Sequence, residues 1–153
     1  MIFDDIIIDE ASKASLNNKV DGMVFNLVPG ETINGMKIIS SRMDVRKKFG
    51  APIKSGSKRK SNGEIKYYDL FNGVVVLYNH RLYSELFRIY AGEVRVRNAK
   101  IFPGTIRDFV KIFPDAYQTP DAWLSVGGSV AAFETNGTIN ELYVSYTDYY
   151  DQY

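Results

Sequence analysis

Two hexapeptides, ELFRIY at residues 85–90 and ELYVSY at residues 141–146, repeat one pattern of large apolar side chains within a chain of 153 residues. An internal duplication restricts the fold more than composition does, because each copy must build the same supersecondary unit. Other features recur in the same order. SSRMDVRKKFGAP, residues 40–52, aligns with GTIRDFVKIFPDA, residues 104–116, at a shift of 64; Asp44 falls on Asp108, Lys47 on Lys111 and Phe49 on Phe113. Ser41 and Thr105 each open the pattern Ser/Thr-x-x-Asp, a capping box in which the hydroxyl accepts from the third backbone N–H and the acid reaches back. Each predicted helix then meets a breaker after its Phe, Gly50 and Pro52 in the first and Pro114 in the second.

Strand patterns follow in both copies. Gly73–Tyr78 (GVVVLY) matches Gly128–Phe133 (GSVAAF), a turn comes next (Asn79-His80-Arg81, then Thr135-Asn136-Gly137), and ELFRIY or ELYVSY closes the unit. Asn-Gly at 136–137 is a strong hairpin signal, since both residues tolerate positive φ. Ile65–Phe71 (IKYYDLF) and residues 122–126 (AWLSV) supply the remaining strands, with a Lys/Gly/Ser-rich insert at 53–64 in the first copy only. The expected fold is α+β and a single domain over residues 1–153. Two tandem helix–antiparallel-meander repeats, about 34–90 and 98–146, form one sheet of about seven or eight strands with the helices on one face. Residues 23–28 (MVFNLV) are expected to add a strand, and residues 93–99 (EVRVRNA) to continue the sheet between the units; residues 9–19 are polar and fit a helix or a loose arm.

Several function classes are disfavoured at once. The net charge of +1 sets up no global field for nucleic acid or an acidic membrane, and the absence of cysteine removes disulfides and thiolate metal sites. MIFDDIIIDE carries four acids and no basic n-region, unlike a secretory signal, and no apolar run reaches membrane-span length, so a cytoplasmic location is expected. Catalytic chemistry lacks a constellation. His80 is the sole histidine and sits in a predicted turn, with no nucleophile or orienting acid specified beside it. No metal motif is present; Asp4, Asp5, Asp9 and Glu10 are expected to face solvent, and Gly127-Gly128 lacks the loop and Lys of a phosphate cradle. No catalytic residue, metal or cofactor is therefore assigned.

The cluster Lys54–Lys60 is expected to be a flexible solvated insert; contact with phosphates or with an acidic partner is the functional alternative. The aromatic content says more, with eleven Tyr and nine Phe. IKYYDLF, VVVLY and ELFRIY are apolar at both strand parities, and one helix per unit covers only one face. An open aromatic face with Arg nearby suits protein binding, whereas the competing reading fills a second core layer with the same rings. Tyr67, Tyr78, Tyr83, Arg88 and Tyr90 are the expected partner contacts, Tyr90 being the one that also fits a core position.

A capped helix ending near Phe49-Gly50-Ala51-Pro52, followed by strands with a Gly-x-Val-Val-x-Tyr run (Gly73–Tyr78), resembles the repeated unit of the β-lactamase-inhibitor protein and of small outer-membrane assembly lipoproteins. The resemblance covers about residues 23–146. The second unit departs from it, with Phe113-Pro114-Asp115 in place of Phe-Gly-x-Pro, and the lipoproteins' signal and anchor Cys are missing. Small proteins with this pattern look like immunity proteins of bacterial polymorphic toxin systems. The resemblance implies a non-enzymatic protein that neutralises a cognate toxin by steric occlusion. The alternatives are a small ligand-binding or enzymatic domain with a pocket between sheet and helices, or nucleic-acid binding through residues 54–60.

Overall fold

A computed structural model describes residues 23–125 and 127–146. The acidic residues at 4–10, the polar stretch at 9–19 and the Tyr/Asp-rich end after residue 146 lie outside the described residues. Within them the chain is α+β, with two helices and thirteen strands in two sheets.

Both helices start where the sequence places them. Ser41 is the N-cap of α1 (Arg42–Phe49), its Oγ accepting from the Asp44 N–H at 3.2 Å, and Gly50 ends the helix with φ 89°. Thr105 caps α2 (Ile106–Ile112) and closes the full capping box, its backbone N–H donating to the Asp108 carboxylate at 3.0 Å. Only the Thr105 end forms the reciprocal bond; at Ser41 the hydroxyl alone does the capping. Each helix sinks one side chain completely, Val45 in α1 and Phe109 in α2. Phe49 and Phe113 are half-buried and pack on the same core cluster, Phe49 against the rings of Phe25, Phe71 and Phe87.

The larger sheet is antiparallel throughout. Its first four strands are β4 (Lys54–Arg59), β5 (Ile65–Phe71), β6 (Val74–Tyr78) and β7 (Ser84–Ile89). The last four are β10 (Tyr117–Gln118), β11 (Trp123–Leu124), β12 (Val130–Thr135) and β13 (Thr138–Ser145). Their order is β10-β11-β12-β13-β7-β6-β5-β4, so two meanders meet at their final strands. β4 corrects an expectation: Lys54–Arg59 is a paired strand, not a solvated loop, with Lys54 opposite Leu70 and Arg59 opposite Ile65. Lysines are tolerated there because β4 ends the strand order, where charge discourages edge-to-edge pairing. The Tyr68 ring lies over Gly56, filling the space that a side chain would occupy.

A second sheet replaces the expected single one. β1 (Val24–Val28), β2 (Thr32–Ile33), β3 (Met36–Lys37), β8 (Glu93–Val96) and β9 (Ala99–Phe102) form it in the order β3-β2-β1-β8-β9. Residues 93–96 thus leave the larger sheet and pair in parallel with β1, Phe25 opposite Val94. The reason is visible in β1, where Phe25 and Leu27 are buried and Val24, Asn26 and Val28 exposed. Such a one-faced strand needs a packing layer, and the helices alone leave much of the larger sheet uncovered. Phe25, Val94 and Ile101 share one core cluster with Val76, Phe87 and Val144 of the larger sheet and with Val45 and Phe109.

The opposite face of the larger sheet's central strands is buried as well. Val75, Leu77, Leu86, Leu124 and Ala131 are each at most 2% exposed and form a second cluster. The expectation of an open aromatic face is overturned. Strands apolar at both parities belong to a sheet with two buried faces, since exposing one would forfeit about 1.5–3 kcal/mol per large side chain.

Candidate binding surface

The five expected contact residues do not form one surface. Tyr78 is fully buried and Tyr90 is 6% exposed. The Tyr90 hydroxyl donates to the Phe71 carbonyl at 3.0 Å and accepts from the Gly73 N–H at 3.3 Å, pinning a turn; burial pushes its pKa up to about 12. Tyr67 is half-buried against the main core. Arg88 pairs with Glu141 and lies over the Tyr143 ring. Tyr83 alone is exposed, at 47%. Strand alternation could not separate these fates, because both faces of the sheet turn out to be interior.

Beside α1 stands a buried polar network that the sequence does not announce. Asp69 on β5 is fully buried, on the same face as Tyr67 and Phe71. Its carboxylate accepts from Arg46 Nε at 2.9 Å, Arg46 Nη2 at 2.8 Å, Ser55 Oγ at 2.6 Å and the Tyr78 hydroxyl at 2.9 Å. Arg42 Nε stands 3.7 Å away. Burial by itself raises the Asp69 pKa, but the hydrogen bonds from Arg46, Ser55 and Tyr78, with the Arg46 charge, outweigh it and hold the carboxyl below its usual range. Tyr78 is pushed far above the ordinary phenol range, first by burial and then by the adjacent carboxylate. The network ties α1, β4, β5 and β6 together and fixes the angle at which α1 presents its outer side.

That outer side meets the turn between β6 and β7. Asn79 organises this turn: its Oδ1 accepts from the N–H groups of Arg81 at 2.9 Å and Tyr83 at 3.1 Å. The Leu82 carbonyl accepts from the Arg42 N–H at 2.9 Å, binding the turn to the helix start. Leu82 adopts φ 64°, a left-handed conformation that a branched apolar residue rarely takes. Arg42, Met43, Arg46, Lys47 and Leu82 line an open concavity of about 680 Å³ here. Its walls are mostly carbon, from Met43, Leu82 and the methylene stems of the cations. Met43 is 68% exposed and Leu82 36%.

The concavity lies outside the sheet–helix core, on the solvent side of α1. Residues 42–60, which span α1 and β4, carry eight Lys and Arg against one acid, Asp44. His80 is exposed in the adjoining turn. Among the described residues, no three His, Asp or Glu side chains cluster as metal ligands. Asp69 had one legible signal, an acid amid the large side chains of IKYYDLF; the strain at Leu82 had none. No protein-family model, curated protein or solved structure matches this chain.

Proposed function

We propose that this chain is a duplicated, non-enzymatic binding protein that occludes a partner, and that the partner is a cognate bacterial toxin. The duplication is supported by correspondences that extend beyond the sequence match. Asn34 and Asn98, 64 positions apart, both sit in hairpin turns at positive φ, 50° and 67°. The caps Ser41 and Thr105 each bridge to the start of their unit's last strand, at Tyr83 and Thr138. Where the meanders meet, Tyr143 opposes Arg88 and Val144 opposes Phe87. Since ELFRIY maps onto ELYVSY, each of these pairs joins one position to the counterpart of the other, the self-complementary pattern of a two-fold axis.

The observation that carries the binding reading comes from comparing the two halves. In the second unit the Gly137 carbonyl accepts from the Ile106 N–H at 2.9 Å, as the Leu82 carbonyl does from Arg42 in the first. Gly137 meets the positive φ, 85°, without strain. The first unit keeps Leu at this position and displays it beside Met43. A residue that strains the backbone and keeps about a third of an apolar residue in water is poorly explained by folding alone, but it suits a contact surface. An enzymatic pocket finds less support, because the concavity holds Arg, Lys, Met and Leu without a general base.

Co-expression with the toxin encoded by the neighbouring reading frame tests this reading. The wild-type protein should protect cells and co-purify with the toxin, and His80→Ala should protect equally. Absence of both protection and a complex would sink the proposal; loss of protection in a folded His80→Ala variant that still co-purifies with the toxin would point to chemistry instead.

A further inference from the structure

We infer that the partner meets this surface with an acidic patch carrying one protruding apolar side chain, which enters the concavity between Leu82 and Met43. The inference rests on the partner-binding reading above and adds the chemistry of the epitope. Charge complementarity supplies the first half. Four cations belong to α1, and two of them, Arg42 and Arg46, share the single carboxylate of Asp69. Asp44 is the only acid within α1 itself, so the surface stays positive while the chain as a whole is nearly neutral. Positive rims of this kind speed encounter with an acidic partner and reject basic ones.

The concavity supplies the second half. Its carbon walls offer no aromatic ring for base stacking, and Met43 and Leu82 would gain nothing from a phosphodiester backbone. A Leu-, Ile- or Phe-sized side chain would bury both. Arg46 is braced from behind by two hydrogen bonds to Asp69, so its position is set before binding and less ordering is lost on association. Acidic protein, not nucleic acid, is therefore the better match.

A random dodecapeptide library displayed on phage tests this without knowledge of the partner. Selection uses the wild-type protein alone, so that the variants remain independent tests. Enriched peptides should place Asp or Glu on both sides of one large apolar residue, and their binding should weaken steeply with salt. Affinity should fall about thirtyfold in Lys47→Glu and also in Met43→Ser, a hot-spot-sized loss. Met43 is mostly exposed, so that variant keeps its fold. Enrichment of peptides without acids, equal binding by both variants, or no enrichment at all overturns the inference. A labelled oligodeoxynucleotide that binds wild type but not Lys47→Glu overturns it in favour of nucleic acid. Toxin protection that survives in both variants would leave the occlusion reading standing and remove this surface from it.

Discussion

Replacing Arg46 with Met isolates what the Asp69 network is worth. The change removes both guanidinium bonds to a carboxylate that is fully buried, and leaves it with Ser55, Tyr78 and the more distant Arg42. Breaking a buried pair from one side costs about 3–5 kcal/mol, because the remaining charge has nowhere to go. Arg46 is itself 35% exposed, so water screens the pair and the expected loss drops to about 2–4 kcal/mol. For a chain this size that lowers the melting temperature by about 5–15 °C. The double variant Arg46→Met/Asp69→Asn should regain at least about 1 kcal/mol over Arg46→Met, since removing the charge removes the penalty. Acid should narrow the gap between wild type and Arg46→Met. In the wild type the depressed Asp69 pKa contributes stability that is present above the ordinary carboxylate range and is lost as pH falls through the folded-state value. In Arg46→Met burial is less opposed, the pKa rises, and protonation relieves the variant. Urea titrations over a range of pH measure all three quantities. An unchanged midpoint in Arg46→Met, or no recovery in the double variant, would refute the claim that this pair carries the network.

Thr105→Ala removes the hydroxyl that accepts from the Asp108 N–H and donates to the Asp108 carboxylate, and should cost about 1–2 kcal/mol, while Ser41→Ala should cost about 1 kcal/mol or less, both read from urea midpoints. Tyr90→Phe should cost about 1–2 kcal/mol by removing the hydroxyl that bonds the Phe71 carbonyl and the Gly73 N–H in a buried site. It should also flatten the alkaline limb of the stability curve: the raised phenol pKa contributes stability that is intact below about pH 10 and falls towards pH 12. Leu82→Gly should leave thermal stability unchanged or raised, because relief of about 1–2 kcal/mol of backbone strain offsets the lost side-chain burial; a clear drop in calorimetry would count against the strain. Replacing residues 54–60 with a short Gly/Ser turn should lower stability measurably, since β4 pairs along its whole length with β5.

Local chemistry made much of the larger sheet legible from sequence. Caps at Ser41 and Thr105, the breaker at Gly50 and the Asn136-Gly137 turn depend on neighbours within a few residues, so their spacing alone placed α1, α2 and the hairpin between β12 and β13. The apolar runs of β6 and β7 likewise identified themselves as strands. What they could not state was how many faces would be covered, because VVVLY reads the same whether a second layer exists or not. That depended on pairing across long separations: Val94 beside Phe25 builds the second sheet, and nothing in either segment specifies the other as its partner. The fate of the tyrosines followed from it, with Tyr78 and Tyr90 interior and Tyr83 outside. Tertiary structure alone brought Arg46 of α1 to Asp69 of β5 and bound the start of α1 to the β6–β7 turn that carries Leu82, since both depend on contacts between residues far apart in the chain.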